Sequence, residues 1–147
     1  MDRQKTISWV TSAVAAAAFL FWKGFGIISI LTIVLPLGVF MRALYRSSNV
    51  CEVVSMSFAK LYAFEVFFSF VWVAVLSMAG IMPMTTIISF IAIPIAIACA
   101  QTVKNSVEGG SQMLADLYPR TANLHRIYTI LLAVAFISAR FLYRSLA

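Results

Sequence analysis

Groups able to move protons, hold a metal or bind an anion are few in this chain of 147 residues, and they are widely spaced. The carboxylates are Asp2, Glu52, Glu65, Glu108 and Asp116. No two of them stand three or four residues apart, the spacing that sets a pair on one helical face for a magnesium-diphosphate or di-metal site. His125 is the one histidine, which excludes a histidine-rich metal site, and no serine lies in an elbow motif that would make it a nucleophile. Beside Arg126 and Tyr128, at the start of an apolar run, His125 reads as a residue of the membrane interface. Cys51 and Cys99 are too few for a disulfide framework and read as unpaired thiols. On these grounds the chain has no catalytic and no metal-ligating residue to assign, and no cofactor.

One juxtaposition is unusual. The stretch SFAKLYAFEVFFSF (57–70) is almost wholly apolar and aromatic, yet it carries Lys60 and Glu65. Lys60, at the boundary of a span, can extend its ammonium into the headgroups. Glu65 lies about 7.5 Å deeper along a helix and about 140° around it, so it neither reaches the surface nor pairs with Lys60. It should face the interior of a bundle, as a hydrogen-bonded structural glutamate or as one that meets a substrate, because ionisable groups at membrane depth are expensive and mark functional candidates. Arg42, Arg46 and Lys60 flank the loop before this span. They could neutralise a diphosphate, or simply anchor the loop to anionic headgroups. The candidate substrate-binding set is therefore Arg42, Arg46, Lys60 and Glu65.

The elements that must position these residues follow from composition. The chain is 63% hydrophobic and 11% charged, against roughly 25% charged in ordinary soluble domains. The bilayer is the expected solvent, and the expected fold is an all-α polytopic transmembrane bundle forming one transmembrane domain over residues 1–147. Spans are expected near 7–22, 25–41, 61–81, 84–103 and 124–142. About 20 apolar residues cross the hydrocarbon core, so the last three are comfortable. The first two, joined only by WKGFG (22–26), form a spanning hairpin in preference to a re-entrant pair. The first run begins with basic residues as a signal peptide does, but no small-residue cleavage site follows it, so it reads as a retained helix.

Eight of the eleven basic residues fall on the side shared by the N-terminus, the second loop and the fourth loop, which places the N-terminus in the cytoplasm by the positive-inside rule. The same asymmetry explains a net charge of +6 without nucleic acid. Ser8, Ser12 and Ala16, and again Ala92, Ala96 and Ala100, recur every four residues and mark close helix contacts. Pro36 and Pro94 should kink their spans and free carbonyls that neighbours must satisfy. In the fourth loop, Met113, Leu114, Leu117 and Tyr118 share a helical face. They suggest a short interfacial helix ended by Pro119, with Thr121 or Asn123 capping the fifth span.

The stretch GIMPMTTIISFIAIPIAIACAQTVKNSVEGGSQMLADLYPRTANLHRIYTILLAVAFI (80–137) resembles the C-terminal part of the UbiA-type membrane prenyltransferases, and within them the 1,4-dihydroxy-2-naphthoate polyprenyltransferases of menaquinone biosynthesis. A Gly-x-x-Pro turn leads into a span with an Ile-Pro step, and a polar loop then ends in Thr-Ala before a final helix. A second register sets residues 31–62 against the final loop of other members. The resemblance implies a bacterial inner-membrane protein, a lateral cavity for a polyprenyl tail, and, in full-length members only, Mg²⁺ held by two Asp-rich motifs. Here the loop that could hold one such motif, RALYRSSNVCEVVSMSFAK (42–60), has Glu52 as its sole acid, and no catalytic residue carries over.

The expected function is accordingly that of the C-terminal portion, or a truncated relative, of such a transferase, inactive alone because the Asp-rich motifs are missing. The alternative is a small non-enzymatic polytopic protein packed in a larger membrane complex. Expected partners are the lipid bilayer, a polyprenyl diphosphate or other membrane helices, and no nucleic acid.

Overall fold

A computed structural model describes residues 2–24, 26–49, 55–109 and 114–146. Its helices are α1 (Arg3–Lys23), α2 (Ile27–Ser48), α3 (Met56–Met78), α4 (Ile93–Gly109) and α5 (Leu117–Ser145), with a 3-10 segment, Met84–Ala92, leading straight into α4. Five of the resulting helical rods are long and apolar enough to cross a membrane. Their outward faces carry bare hydrocarbon, including Val10 and Phe21 on α1, Ile28 and Leu31 on α2, Phe64 and Val71 on α3, and Ile130 and Phe141 on α5. Apolar surface on this scale is stable only against lipid chains. The chain is an integral membrane protein with an all-α bundle fold. The first two runs form two full-length helices, as the spanning hairpin requires.

Local signals account for the helix ends. The Asp2 carboxylate accepts from the Gln4 N–H, and Ser55 Oγ accepts from the Phe58 N–H, each capping a helix start. The Tyr118 hydroxyl also donates to Asp2, and this bond with the Gln4 N–H holds the Asp2 carboxyl below its ordinary range. At the end of α3, Gly80 takes φ +71° while the Gly80 and Ile81 N–H groups bond back to Ser77 and Leu76 carbonyls, the glycine-terminated motif that closes many helices.

A side chain added at Gly80 would meet no neighbour, so its penalty is purely conformational. Gly80→Ala should destabilise the fold by about 1 kcal/mol. Gly38, in the middle of α2 with open space where a Cβ would go, should show the opposite sign. Gly38→Ala is expected to stabilise by about 0.5 kcal/mol. Thermal unfolding of the two variants in one detergent checks the pair.

Two prolines shape the bundle. Pro36 lacks the N–H that would bond the Thr32 carbonyl four residues earlier. Trp72 Nε1 of α3 donates to that carbonyl at 3.1 Å, and Ser69 Oγ donates to the carbonyl of Pro36 itself at 2.8 Å. A neighbouring helix thus satisfies the freed group. Pro94 marks the change from 3-10 to α geometry. Within the 3-10 segment, Thr86 and Ser89 hydroxyls bond the carbonyls three residues back, matching its tighter pitch.

The core is organised around α5, which packs on α1, α2, α4 and the 3-10 segment. Phe40 of α2 meets Phe70, His125 and Tyr128, with ring centroids 6.4, 5.1 and 5.2 Å away. Phe19 of α1 meets Phe136 edge-on at 5.0 Å. Asp2 to Tyr118, Ser12 to His125 and Phe19 to Phe136 follow one another along the seam, so α1 and α5 run parallel, as first and fifth spans must. Both small-residue faces are used inside the bundle. Ser8 and Ser12 are buried in the largest helix contact, that of α1 with α5, and Ala92 and Ala96 are buried beneath the α3 and α5 side chains.

Two expectations need correction. Among the described residues no separate interfacial helix precedes the fifth span, because Leu117 and Tyr118 already belong to α5 and Leu114 lies in the turn before it, while Met113 is outside the described residues. Pro119 does not end a helix. It sits in the first turn of α5, where its missing N–H has no carbonyl to bond. Consequently Thr121 is not a cap. Its hydroxyl donates to the Leu117 carbonyl at 2.8 Å and meets the Tyr62 hydroxyl at 2.6 Å, fixing α5 to α3, and Asn123 is a mid-helix, exposed residue.

Candidate functional site

The end of α2 and the second and third turns of α3 bring three of the four candidate residues together. Arg46 donates through Nε to Glu65 Oε2 at 3.0 Å and through Nη2 to Oε1 at 2.9 Å, a two-point clamp. Arg42 Nε approaches the same Oε1 at 3.7 Å. The Glu65 side chain is 7% exposed, that of Arg46 26% and that of Arg42 75%. The inward orientation expected of Glu65 is therefore observed, and its counter-ion is a residue of the preceding helix. The Arg46 guanidinium also lies 6.0 Å from the Phe58 ring centre, a cation–π contact across the helix start. Chemically this is a half-buried pair, its carboxylate inside and its guanidinium partly exposed, with a second cation, Arg42, on its solvent-facing side.

Lys60 is not part of that cluster. It stands on another face of α3, at the mouth of a groove of about 360 Å³ between α3 and α4. Ala59, Ala63 and Ala100 leave room for the groove, Phe67 and Ile97 line it towards the membrane interior, and Lys60, Gln101 and Lys104 edge it. The antiparallel run of α3 and α4 places both ammonium groups at one end of the groove. Lys104 was not singled out from the sequence. The signal that could have found it is its position in the last turns of the fourth span, level with the basic start of the third.

A second polar site lies between α1 and α5. His125 is fully buried, with Nε2 3.1 Å from Ser12 Oγ and its ring edge-on to Phe40. The reading of His125 as an interfacial residue is thus overturned. Pro119 in the first turn starts α5 earlier than expected, so His125 sits about 12 Å along the helix rather than at its mouth. Thr121, His125 and Thr129 form a column one turn apart, with His125 meeting Ser12 of the Ser8–Ser12 column on α1, and all five are buried. The periodicity of both columns was present in the sequence, but nothing there paired them.

The Mg²⁺ that the resemblance implies for full-length transferases does not fit the described residues. Glu65 is taken by Arg46, Asp2 is engaged by Tyr118 and the Gln4 N–H, and Glu108 and Asp116 belong to different helix ends. Among the described residues no group of three or more His, Cys, Asp or Glu side chains lies close enough to hold a metal. Glu52 and Cys51 lie outside the described residues, and Cys99 is a buried free thiol. No family model, no curated protein and no solved structure matches the chain.

Proposed function

We propose that this chain is the C-terminal portion, or a truncated relative, of a UbiA-type prenyltransferase, and that it holds a polyprenyl diphosphate without transferring it. The observation that carries the reading is the groove between α3 and α4. It is apolar along its length, opens sideways to lipid and is edged at one end by Lys60 and Lys104, a shape and charge pattern suited to an isoprenoid tail with a diphosphate head. The stretch that resembles those enzymes, residues 80–137, supplies one wall of the groove through α4. Arg42, the exposed member of the Arg46–Glu65 cluster, is the further cation available at the same end of the bundle.

In this reading the chain binds, orients and shields an isoprenoid but lacks the acidic cradle for a departing diphosphate. The basic ends of the groove face the cytoplasm, as the positive-inside asymmetry favours, in a bacterial inner membrane. A non-enzymatic subunit of a larger complex would have little of its small-residue stripes left for docking, since Ser8, Ser12, Ala92 and Ala96 are buried by its own helices and only Ala16 and Ala100 remain half-exposed.

Photolabelling tests the proposal. A benzophenone-bearing farnesyl diphosphate should label α3 and α4 around Phe67 and Ile97, unlabelled farnesyl diphosphate should compete, and Lys60→Gln with Lys104→Gln should weaken labelling by about tenfold. Labelling that a phospholipid competes equally well, or that falls elsewhere, overturns it. Prenyl transfer to a dihydroxynaphthoate acceptor by the isolated chain, with Mg²⁺ supplied, would overturn the non-catalytic part.

A further inference from the structure

The end of the bundle opposite the Arg46–Glu65 pair has a different electrostatic character. Every described carboxylate belongs to the other end: Asp2 precedes α1, Glu65 lies in the first half of α3, Glu108 ends α4 and Asp116 precedes α5. The three basic residues at this end, Lys23, Arg140 and Arg144, are not dispersed as simple anchoring would allow. They line one cleft of about 340 Å³ between the C-terminal ends of α1 and α5, together with Trp22 and Tyr143.

Three like charges in one cleft repel one another. No carboxylate among the described residues lies within ion-pair distance of any of them. The C-terminal dipoles of α1 and α5 each offer only about half a negative charge, so among the described residues roughly two positive charges are left uncompensated. Aromatic faces take part of the load: Lys23 Nζ lies 5.5 Å from the Trp22 ring centre, and the Arg140 guanidinium 5.5 Å from that of Phe21. Even so, Arg140 Nε is buried and has no hydrogen-bond partner. A buried guanidinium donor left unsatisfied is uncommon, so none of the described protein groups discharges the Arg140 cation by hydrogen bonding through Nε, and the rest of the guanidinium remains the part that lines the cleft.

The setting identifies the kind of anion that suits the cleft. Trp22 and Tyr143 are the ring types that settle at headgroup level. Immediately beside them Phe21, Phe141 and Leu142 expose hydrocarbon, so an anion in the cleft would sit with apolar chains running down the adjoining helix faces. A zwitterionic headgroup would bring its own ammonium towards three cations, whereas an anionic one would not. We propose that this cleft is a binding site for the phosphodiester headgroup of an anionic phospholipid in the leaflet at the Lys23 end, with Lys23, Arg140 and Arg144 as its ligands. The site lies at the other end of the molecule from the α3–α4 groove, and it stands whether or not the chain binds an isoprenoid.

Trp22 makes the site observable. The full chain is reconstituted in phosphatidylcholine vesicles holding a small fraction of phosphatidylglycerol with brominated acyl chains, and tryptophan quenching is compared with that from brominated phosphatidylcholine at the same fraction. The anionic lipid should be preferred by at least about tenfold, each cation being worth about fivefold near the surface. The Arg140→Gln, Arg144→Gln double variant should lose most of that preference while keeping its elution volume and helicity. Lys23→Gln, which alters only an exposed side chain, should lose about fivefold and guards against a folding artefact. Trp22→Phe should abolish the selective component. Equal quenching by the two lipids, an unchanged preference in the Arg variants, or selective quenching that survives Trp22→Phe would overturn the proposal. So would a selective signal erased by millimolar inorganic phosphate but not by sodium chloride of the same ionic strength, since the occupant would then be a free anion rather than a lipid.

Discussion

Arg46→Ala should destabilise the bundle by about 3 kcal/mol and Glu65→Gln by only about 1 kcal/mol, although the two changes break the same pair. The asymmetry comes from depth and side-chain length. Without Arg46, the Glu65 carboxylate, 7% exposed in the intact bundle and on too short a side chain to reach the headgroups, keeps only Arg42 at 3.7 Å as a partial substitute. Without the Glu65 charge, Arg46 is already 26% exposed near the end of α2, and its long side chain can turn towards the headgroups. A chain of this size loses roughly 3 °C of Tm per kcal/mol, so detergent-solubilised Arg46→Ala should melt about 9 °C lower. Adding Arg42→Ala should lower it further by removing the substitute partner. If Arg46→Ala melts with the wild type, the pair is not a structural clamp between α2 and α3, and a substrate-facing role for Glu65 becomes the better reading.

A similar loss, about 3 kcal/mol, is expected from His125→Ala, which empties a fully buried position beside Phe40 and strands the Ser12 hydroxyl. The conservative series separates volume from hydrogen bonding. His125→Phe keeps most of the ring volume and loses only the bond to Ser12, so it should cost about 1.5 kcal/mol. Ser12→Ala, His125→Phe together should cost no more than His125→Phe alone, because the stranded hydroxyl is gone; the coupling in such a cycle should be about 1 kcal/mol. Additive losses would mean that the 3.1 Å contact contributes nothing. A histidine at the membrane surface, by contrast, would tolerate alanine within about 0.5 kcal/mol.

How far the sequence could lead is visible in single residues. Pro36 announced a freed carbonyl and the need for a donor, but Trp72 as that donor lies 36 positions later on another helix and is chosen only when α2 and α3 pack. Glu65 announced its own inward orientation because a short charged side chain at that depth has nowhere else to go. Which cation met it did not follow: the roughly 140° offset along one helix already turned Lys60 away, but Arg42 and Arg46 were equivalent in sequence, and only the packing of α2 against α3 selected Arg46. The misplacement of His125 came from one boundary. With Pro119 read as a stop rather than a first-turn residue, every position after it was assigned too shallow a depth.

Taken alone, the amino-acid order determined the solvent, the number and rough limits of the helices, and the scarcity of acidic ligands, because these depend on composition and on runs of about 20 residues. Tertiary structure decided which charges are paired, where the grooves open and that Lys23, Arg140 and Arg144 share a cleft. The physical reason is that a lipid-facing helix carries little information about its rotation: apolar residues surround it on all sides, so the hydrophobic pattern that orients a helix in water is nearly silent in a bilayer. A few buried polar contacts and the fit of aromatic rings settle the rotation instead, and they exist only once the helices have met.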